Sequence, residues 1–331
     1  MRDKSLSIGD FVTQQNYEKL LFTAGPASLL PENITGLRPC FGRDDKDYAV
    51  VEERVMSALR RMSGHSHLVR MQGSASLALE IMALNFLYGR VLVVQSGYYS
   101  DRLTWLSDSA QRRLKAVKEV ERVEWDTLDA VSGSFDWVFA CYTETSCGLK
   151  IPIEMMRSNA DRLGAKLMLD ATASIGLEDR HELADVIAYS SCKGLFGLTG
   201  AAFVAYHESP TNELDSFYLD IASHKDKKMT GPYHAIASLD EVLRNHDAFR
   251  HAVLKNKHVF QKNFAKYLTL PDKNQPSLCT HLSCTVKTED PRAVLYTPRS
   301  DKGGSVVCHL GEVHLKRTAQ GIIQNVLQVE S

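Results

Sequence analysis

No stretch of about 18 or more apolar residues occurs in the sequence, so no membrane-spanning helix is expected. The opening MRDKSLSIGDFVTQQNYEKL lacks the apolar core of a secretory leader. An excess of one charge sign is missing too. Lys and Arg total 39 against 40 Asp and Glu, a net −1, so bulk electrostatics point to neither nucleic acid nor a membrane surface. Cysteines are few and scattered: Cys40, Cys141, Cys147, Cys192, Cys279, Cys284 and Cys308. They are odd in number and form no C-x-x-C pair, which removes the signals of a metal site and of a disulfide framework. Thiols that stay reduced fit a cytoplasmic location. There is no internal repeat and no low-complexity tract. With 44% apolar and 24% charged residues the composition is ordinary for a globular chain. Because single cores rarely exceed about 250–300 residues, the 331 residues predict one large domain plus a smaller one.

What is present is an alternation of two periods. The first 20 residues read as an arm or a short helix. DYAVVEERVMSALRRM (47–62) places Val51, Val55, Ala58, Leu59 and Met62 at helical spacing, with Gly64 as its stop. HLVRMQGSAS reads as a short strand breaking into a turn, followed by the apolar helix SLALEIMALNFLYG. The pattern continues with strand VLVVQ, helix RLTWLSDSAQRRL, strand WVFACY, helix IEMMRSNADRLG, and strands KLMLD, DVIAYSS and AAFVAYH. Strands alternating with helices imply an α/β sheet, largely parallel. AAFVAYH follows DVIAYSS so closely that this pair is expected to run antiparallel. From about 210 a connector leads to helices over 235–268, short strands near 279–287, 293–296 and 305–309, and an amphipathic helix over LKRTAQGIIQNVLQV. The expected division is an arm (1–20), a large domain (21–235) and a small α+β domain (236–331).

Ligands of open α/β sheets bind at the carboxyl ends of strands. Five such ends carry small or polar groups: QGSAS (72–76), SGYYSDR (96–102), TETSCG (143–148), DATAS (170–174) and SSCKGLFG (190–197). Free N–H groups at the start of the helix after QGSAS, with the Ser74 and Ser76 hydroxyls, suit a phosphate, although an ordinary Ser cap fits equally. Asp170 ends a buried strand, where a carboxylate either caps the next turn or pairs with a protonated pyridine nitrogen. Lys193 lies among Ser, Cys, Gly and Leu after a buried strand, where it is either a surface turn lysine or a desolvated, nucleophilic amine. Tyr98 or Tyr99 offers a face for a flat ring, or simple packing. Asp170 with Lys193 after the intervening strand is more specific than either alone.

In this order the motifs resemble the class V aminotransferases of pyridoxal-phosphate (PLP) fold type I, in particular the 2-aminoethylphosphonate–pyruvate and alanine–glyoxylate branches. The resemblance runs from about residue 20 to 315. It rests on Thr23-Ala24-Gly25-Pro26, CFGRDDKDY (40–48), Gln72-Gly73-Ser74-Ala75-Ser76, Gly97-Tyr98-Tyr99-Ser100-Asp101-Arg102, Tyr142-Thr143-Glu144-Thr145-Ser146-Cys147-Gly148, DATAS and Ser190-Ser191-Cys192-Lys193. It implies the aspartate aminotransferase-like α/β fold: a mainly parallel seven-stranded sheet flanked by helices, with a smaller C-terminal α+β domain. It implies PLP bound covalently through Lys193, with Asp170 on the pyridine nitrogen and Tyr99 stacked on the ring. Thr172 lies under the ring, Thr145 or Ser146 near its hydroxyl, Cys192 beside the lysine, and Ser74, Ala75 and Ser76 around the phosphate. Thr230 and Tyr233, in Thr230-Gly231-Pro232-Tyr233-His234-Ala235, reach the partner's phosphate in a homodimer. The implied substrates are a small amine and a 2-oxo acid, with no metal.

The sequence departs from the family in two places near the chemistry. Cys192 stands where Asn or Gln is usual. In Ser305-Val306-Val307-Cys308-His309-Leu310-Gly311, Val306 occupies the position of the arginine that grips the substrate carboxylate. Gly25, Arg102 and Arg299 are the substrate-side candidates, with Lys302 a further cation. Without that arginine, a lyase, decarboxylase or racemase on the same scaffold is the rival to transamination, and a non-catalytic binding relative is the second.

Overall fold

A computed structural model describes residues 6–37, 42, 44–300, 302–314 and 323–329. Its centre is one seven-stranded sheet: β1 (His67–Gln72), β2 (Gly89–Gln95), β3 (Val117–Glu124), β4 (Trp137–Cys141), β5 (Lys166–Asp170), β6 (Val186–Ser190) and β7 (Ala201–Tyr206). The spatial order is β1-β7-β6-β5-β4-β2-β3. β7 runs antiparallel to β1 and to β6, as the short DVIAYSS–AAFVAYH connection predicts, and the other pairs are parallel. The carboxyl ends of β1, β2, β4, β5 and β6 therefore lie along one edge.

Both faces of the sheet are covered, which is why its strands read as nearly continuous apolar runs. Alternation along each strand sends Leu92, Val138, Leu167 and Ile187 to one side. There they meet Val55 and Leu59 of α2 (Lys46–Ser63), Met156 of α5 (Ile153–Arg162) and Leu239 of α6 (Tyr233–Arg244). Val91, Val93, Phe139 and Met168 go to the other side, against Leu79 and Met82 of α3 (Ala75–Phe86) and Leu103 of α4 (Tyr98–Arg113). Helix α2 starts where Asp45 accepts the N–H groups of Asp47 and Tyr48, and Gly64 (φ 72°) ends it in the left-handed region, as expected from the sequence.

A third cluster joins the two ends of the chain. α1 (Ile8–Tyr17) leads to the strand Leu20–Phe22, which pairs in parallel with Ala293–Leu295. Leu20 and Phe22 pack with Phe260 and Phe264 from the end of α7 (His246–Asn263), Leu282 of β8 (Cys279–Leu282) and Val307 of β9 (Ser305–Cys308). β8 and β9 are antiparallel.

Three readings of the sequence are corrected. α4 begins at Tyr98, four residues before the predicted start, because its cap comes from a distant carboxylate described below. β3 escaped notice because VKEVERVE is an edge strand whose exposed side carries charge. The predicted terminal helix is not formed over its described part: Ile323–Val326 is a short 3-10 turn, and Leu327–Val329 pairs with Val286–Thr288. Residues 315–322 of that stretch lie outside the described residues, as do Cys40, Phe41 and Arg43 of the CFGRDDKDY motif. Among the described residues no helix is long and apolar enough to cross a membrane.

Candidate active site

The carboxyl-end edge brings together most of the residues singled out in the sequence. Lys193 leaves the turn after β6, half-buried, with Nζ 5.7 Å from the ring centroid of Tyr99. Its stem lies against Gly25, where an added Cβ would sit 3.0 Å from Lys193 Cγ at a φ of 118° that side chains rarely adopt. Only glycine lets the chain approach the lysine this closely. The Ala27 N–H donates to the Cys192 carbonyl at 2.7 Å and holds that approach. Cys192 Sγ is 3.6 Å from Ser190 Oγ.

Asp170, at the end of β5, is 5% exposed. Its Oδ1 accepts the Thr172 N–H at 2.9 Å, which fixes the carboxylate and turns the chain so that Thr172 sits next to it. On the neighbouring β4, Cys141 is in register with Asp170, and burial, reinforced by the Asp170 and Glu144 charges, pushes its thiol up.

Glu144 organises the other side. Wholly buried, its Oε2 accepts the N–H groups of Tyr99 (3.0 Å) and Ser100 (3.1 Å), and its Oε1 accepts the N–H (3.1 Å) and hydroxyl (2.5 Å) of Ser146. A carboxylate on free helical N–H groups is a cap, and here it comes from 45 positions away in sequence. Gly97 (φ 151°) leaves room for it: a Cβ would lie 2.7 Å from Ser146 Oγ. Burial raises the Glu144 carboxyl above the usual carboxylate range, opposed by its hydrogen bonds to Ser146 and Ser100. In the sequence Glu144 stands only as a member of the 142–148 motif, because no local pattern reveals a cap closed by tertiary contact.

Helix α3 starts at Ala75 with Ser74 as N-cap, and the Ser74 side chain makes no capping bond. Among the described residues the first N–H groups of α3 thus have no side-chain cap. Beside them, Arg102 Nη1 donates to Ser76 Oγ at 2.8 Å, and the guanidinium carbon lies 4.9 Å from the Tyr99 centroid. Arg102 belongs to the helix-start corner. Arg299 lies at the rim, with Nη1 3.1 Å from Tyr98 Oη.

Among the described residues the buried Thr172 Oγ1 has no hydrogen-bond partner. Burial drives the Tyr296 phenol up, with Tyr99 and Thr145 as neighbours. Buried polar atoms are normally paired. An unpartnered hydroxyl among a lysine, a carboxylate, an aromatic face and a helix N-terminus suits a flat, polar, phosphorylated ligand, so these residues fit a bound PLP. The Ser146 hydroxyl is already engaged with Glu144 and with the Tyr98 N–H at 3.2 Å.

Two candidates stand apart. Thr230 is exposed on the connector, and Tyr233 packs edge-on against Tyr48 with centroids 4.8 Å apart. Neither shares a hydrogen bond or ring contact with the Lys193 cluster among the described residues. A groove of about 710 Å³ between α2 and α6, lined by Val50, Arg54, Arg61 and Leu243, shares no residue with that cluster either.

No family model matches the chain. It is 28% identical over 253 residues to the 2-aminoethylphosphonate–pyruvate transaminase of Pseudomonas aeruginosa, a match spanning 69% of this chain and 68% of the relative. A second relative of that name, from Pseudomonas putida, is 26% identical over 254 residues, 69% and 68% of the two chains. Among solved structures, an aspartate aminotransferase from Thermus thermophilus superimposes with a TM-score of 0.78 at 18% identity, covering 92% of this chain and 97% of that one. The alanine–glyoxylate aminotransferase from Nostoc sp. gives 0.78 at 16% identity, covering 98% and 96%. These likenesses bear out the resemblance to the class V aminotransferases and the fold type I architecture expected from the sequence.

Proposed function

We propose that this protein is a PLP-dependent aminotransferase that moves an amino group between a small amine or amino acid and a 2-oxo acid. The observation that carries the reading is the convergence, on one sheet edge, of the Lys193 amine, the fixed Asp170 carboxylate and the Tyr99 ring. When bound, PLP supplies an aldehyde that condenses with amines and a pyridine ring that spreads the charge left when a carbon-bound proton departs.

This chain's residues supply the rest. The N–H groups at the start of α3, with the Ser74, Ala75 and Ser76 segment around them, bind the phosphate. Arg102 adds a positive charge at that corner, so we assign it to the phosphate and not to the substrate. Asp170 holds a proton on the ring nitrogen, its carboxylate oriented by the Thr172 N–H. Tyr99 would supply the aromatic face for the ring, and Thr172, beside Asp170, would hold it from near the carboxylate. Of the two residues offered for the ring hydroxyl, Thr145 takes the role, because the Ser146 hydroxyl is already used. Lys193 Nζ would anchor the cofactor and would move the proton of the amine-bearing carbon. Cys192 lines the lysine's turn.

The curated relatives are transaminases, which favours amino transfer over the lyase, decarboxylase and racemase readings. A homodimer in the cytoplasm completes the proposal. Thr230 and Tyr233, remote from the site of their own chain, are then available to a second copy, and the six described cysteines are free thiols. In the same reading residues 21–235 form the large domain and 236–331 the small one, with the arm before them.

The test is borohydride reduction of the PLP-loaded protein followed by peptide mass spectrometry, with 2-aminoethylphosphonate and pyruvate among the substrates screened. A pyridoxyl group fixed on Lys193, amino transfer to a 2-oxo acid, and loss of both in Lys193→Ala are expected. Fixation elsewhere, or amine consumption without stoichiometric amino acid product, overturns the reading.

A further inference from the structure

We propose that Arg299 reads the acidic group of the amine substrate at the mouth of this site, replacing a guanidinium that β9 does not provide. The inference rests on the aminotransferase reading above and names how that site selects its substrate.

The first observation is the floor. Along β9, Val306 and Cys308 turn into the core cluster that also holds Ala24, Ala171 and Leu195, while Val307 turns to the opposite cluster. Val306 is 2% exposed and Cys308 is fully buried. Lys193 is close enough to Cys308 for its charge to oppose the burial that raises that thiol. The strand therefore offers methyl groups and an uncharged thiol. A carboxylate near this stretch therefore gains no donor from it.

The second observation is the rim. Arg299 Nη1 donates to Tyr98 Oη at 3.1 Å, and its guanidinium carbon is 5.2 Å from the Tyr98 centroid. Tyr98 meets Tyr99 edge to face at 5.4 Å, and Tyr99 faces Lys193 Nζ at 5.7 Å. A continuous relay of contacts thus runs from Arg299 to the reactive amine. Among the described residues Arg299 forms no ion pair, and its one hydrogen bond is to a neutral phenol.

The segment that carries it is anchored at both ends. Tyr296 is half-buried beside Tyr99 and Thr145, His281 Nε2 lies 3.1 Å from the Gly303 carbonyl, and the Lys302 N–H donates to Ser300 Oγ at 3.1 Å. Lys302 adds a second positive charge on the same segment, felt by Cys147 and His281.

A guanidinium on a long stem, leaning on an aromatic face, keeps its fork available for a bidentate oxyanion. Because it stands at the rim and the floor is apolar, the favoured substrate is a primary amine whose acidic group is set off from the amine-bearing carbon. Carboxylate and phosphonate share that chemistry.

Two non-reacting probes separate them. Ethylphosphonate and propionate are titrated by calorimetry into the purified chain, and into Arg299→Ala and Arg299→Lys, with cofactor content measured alongside. The Ala variant is expected to bind the preferred anion about 10- to 100-fold more weakly, the scale of a hydrogen bond to a charged group. The Lys variant should retain part of the affinity, and cofactor content should be unchanged. In turnover, kcat/KM for 2-aminoethylphosphonate should fall by the same factor while that for propylamine, which has no acid group, stays constant. The tighter of the two probes identifies the acid class. Equal affinity in wild type and Arg299→Ala, no anion binding by the wild type, or equal losses for charged and uncharged amines overturns the proposal. Failure of the aminotransferase reading looks different: no cofactor fixed on Lys193, whatever Arg299 does to anion binding.

Discussion

The Glu144 carboxylate accepts the Tyr99 N–H at 3.0 Å, so a side chain on one strand-end turn sets the start of the helix that presents the ring-stacking residue of another. Because the carboxylate also accepts from Ser100 and Ser146, three backbone donors and a hydroxyl depend on one buried group. Glu144→Ala should cost about 3–5 kcal/mol, the scale of removing one partner from a buried charged network. Glu144→Gln keeps one acceptor oxygen and should cost about 1–3 kcal/mol. Urea unfolding gives both values. As a positioning residue for Tyr99, Glu144 should also govern PLP affinity, so the Gln variant is expected to bind PLP more weakly while still folded. An Ala variant within about 0.5 kcal/mol of wild type would show that the cap carries no weight.

Arg102 is predicted to act on the phosphate. Arg102→Ala should weaken PLP binding about 10- to 100-fold, as for one charge-assisted contact. Binding of pyridoxal, which lacks the phosphate, should stay near the wild-type value. Fluorescence titration with the two ligands separates the possibilities. An equal loss for both would mean that Arg102 serves the ring through Tyr99, over which its guanidinium also lies.

Acid should destabilise the fold through histidines that are buried neutral. Burial holds His65 down to about 4, with repulsion from His207 adding to it, and holds His181 and His309 down to about 3. The ordinary value is 6.5. Between that value and the depressed ones, the unfolded chain takes up protons that the folded chain refuses. Their contribution to stability is therefore complete above 6.5 and is lost as pH falls towards 4 and 3. Each histidine should add a slope of about 1.4 kcal/mol per pH unit. His181→Phe should remove one such slope, at the expense of the 2.9 Å contact with Ser174 Oγ. Urea midpoints at pH 7 and pH 5 measure it, and midpoints that do not move with pH would refute it.

Much of the scaffold was legible because its signals are local. Residues 166–170 and 186–190 are short apolar runs because both faces of the sheet are covered. Gly64 ends α2 through its own backbone. Lys193 and Asp170 stood out as polar groups at the ends of such runs, where a solvated role was implausible. β3 was illegible because an edge strand alternates charge on its open side and resembles a surface helix in composition.

The sequence by itself determined the alternation of strands and helices, the antiparallel return of β7 and the presence of lysine, carboxylate and tyrosine at strand ends, since these follow from side-chain period and chain direction within a few residues. Only the tertiary structure decided which arginine faces the helix start and which faces the rim, that the Ser146 hydroxyl accepts the Tyr98 N–H, and that Glu144 begins α4. Those outcomes depend on groups tens to hundreds of residues apart meeting across the sheet edge, and a hydrogen bond between such groups leaves no trace in the local pattern of either segment.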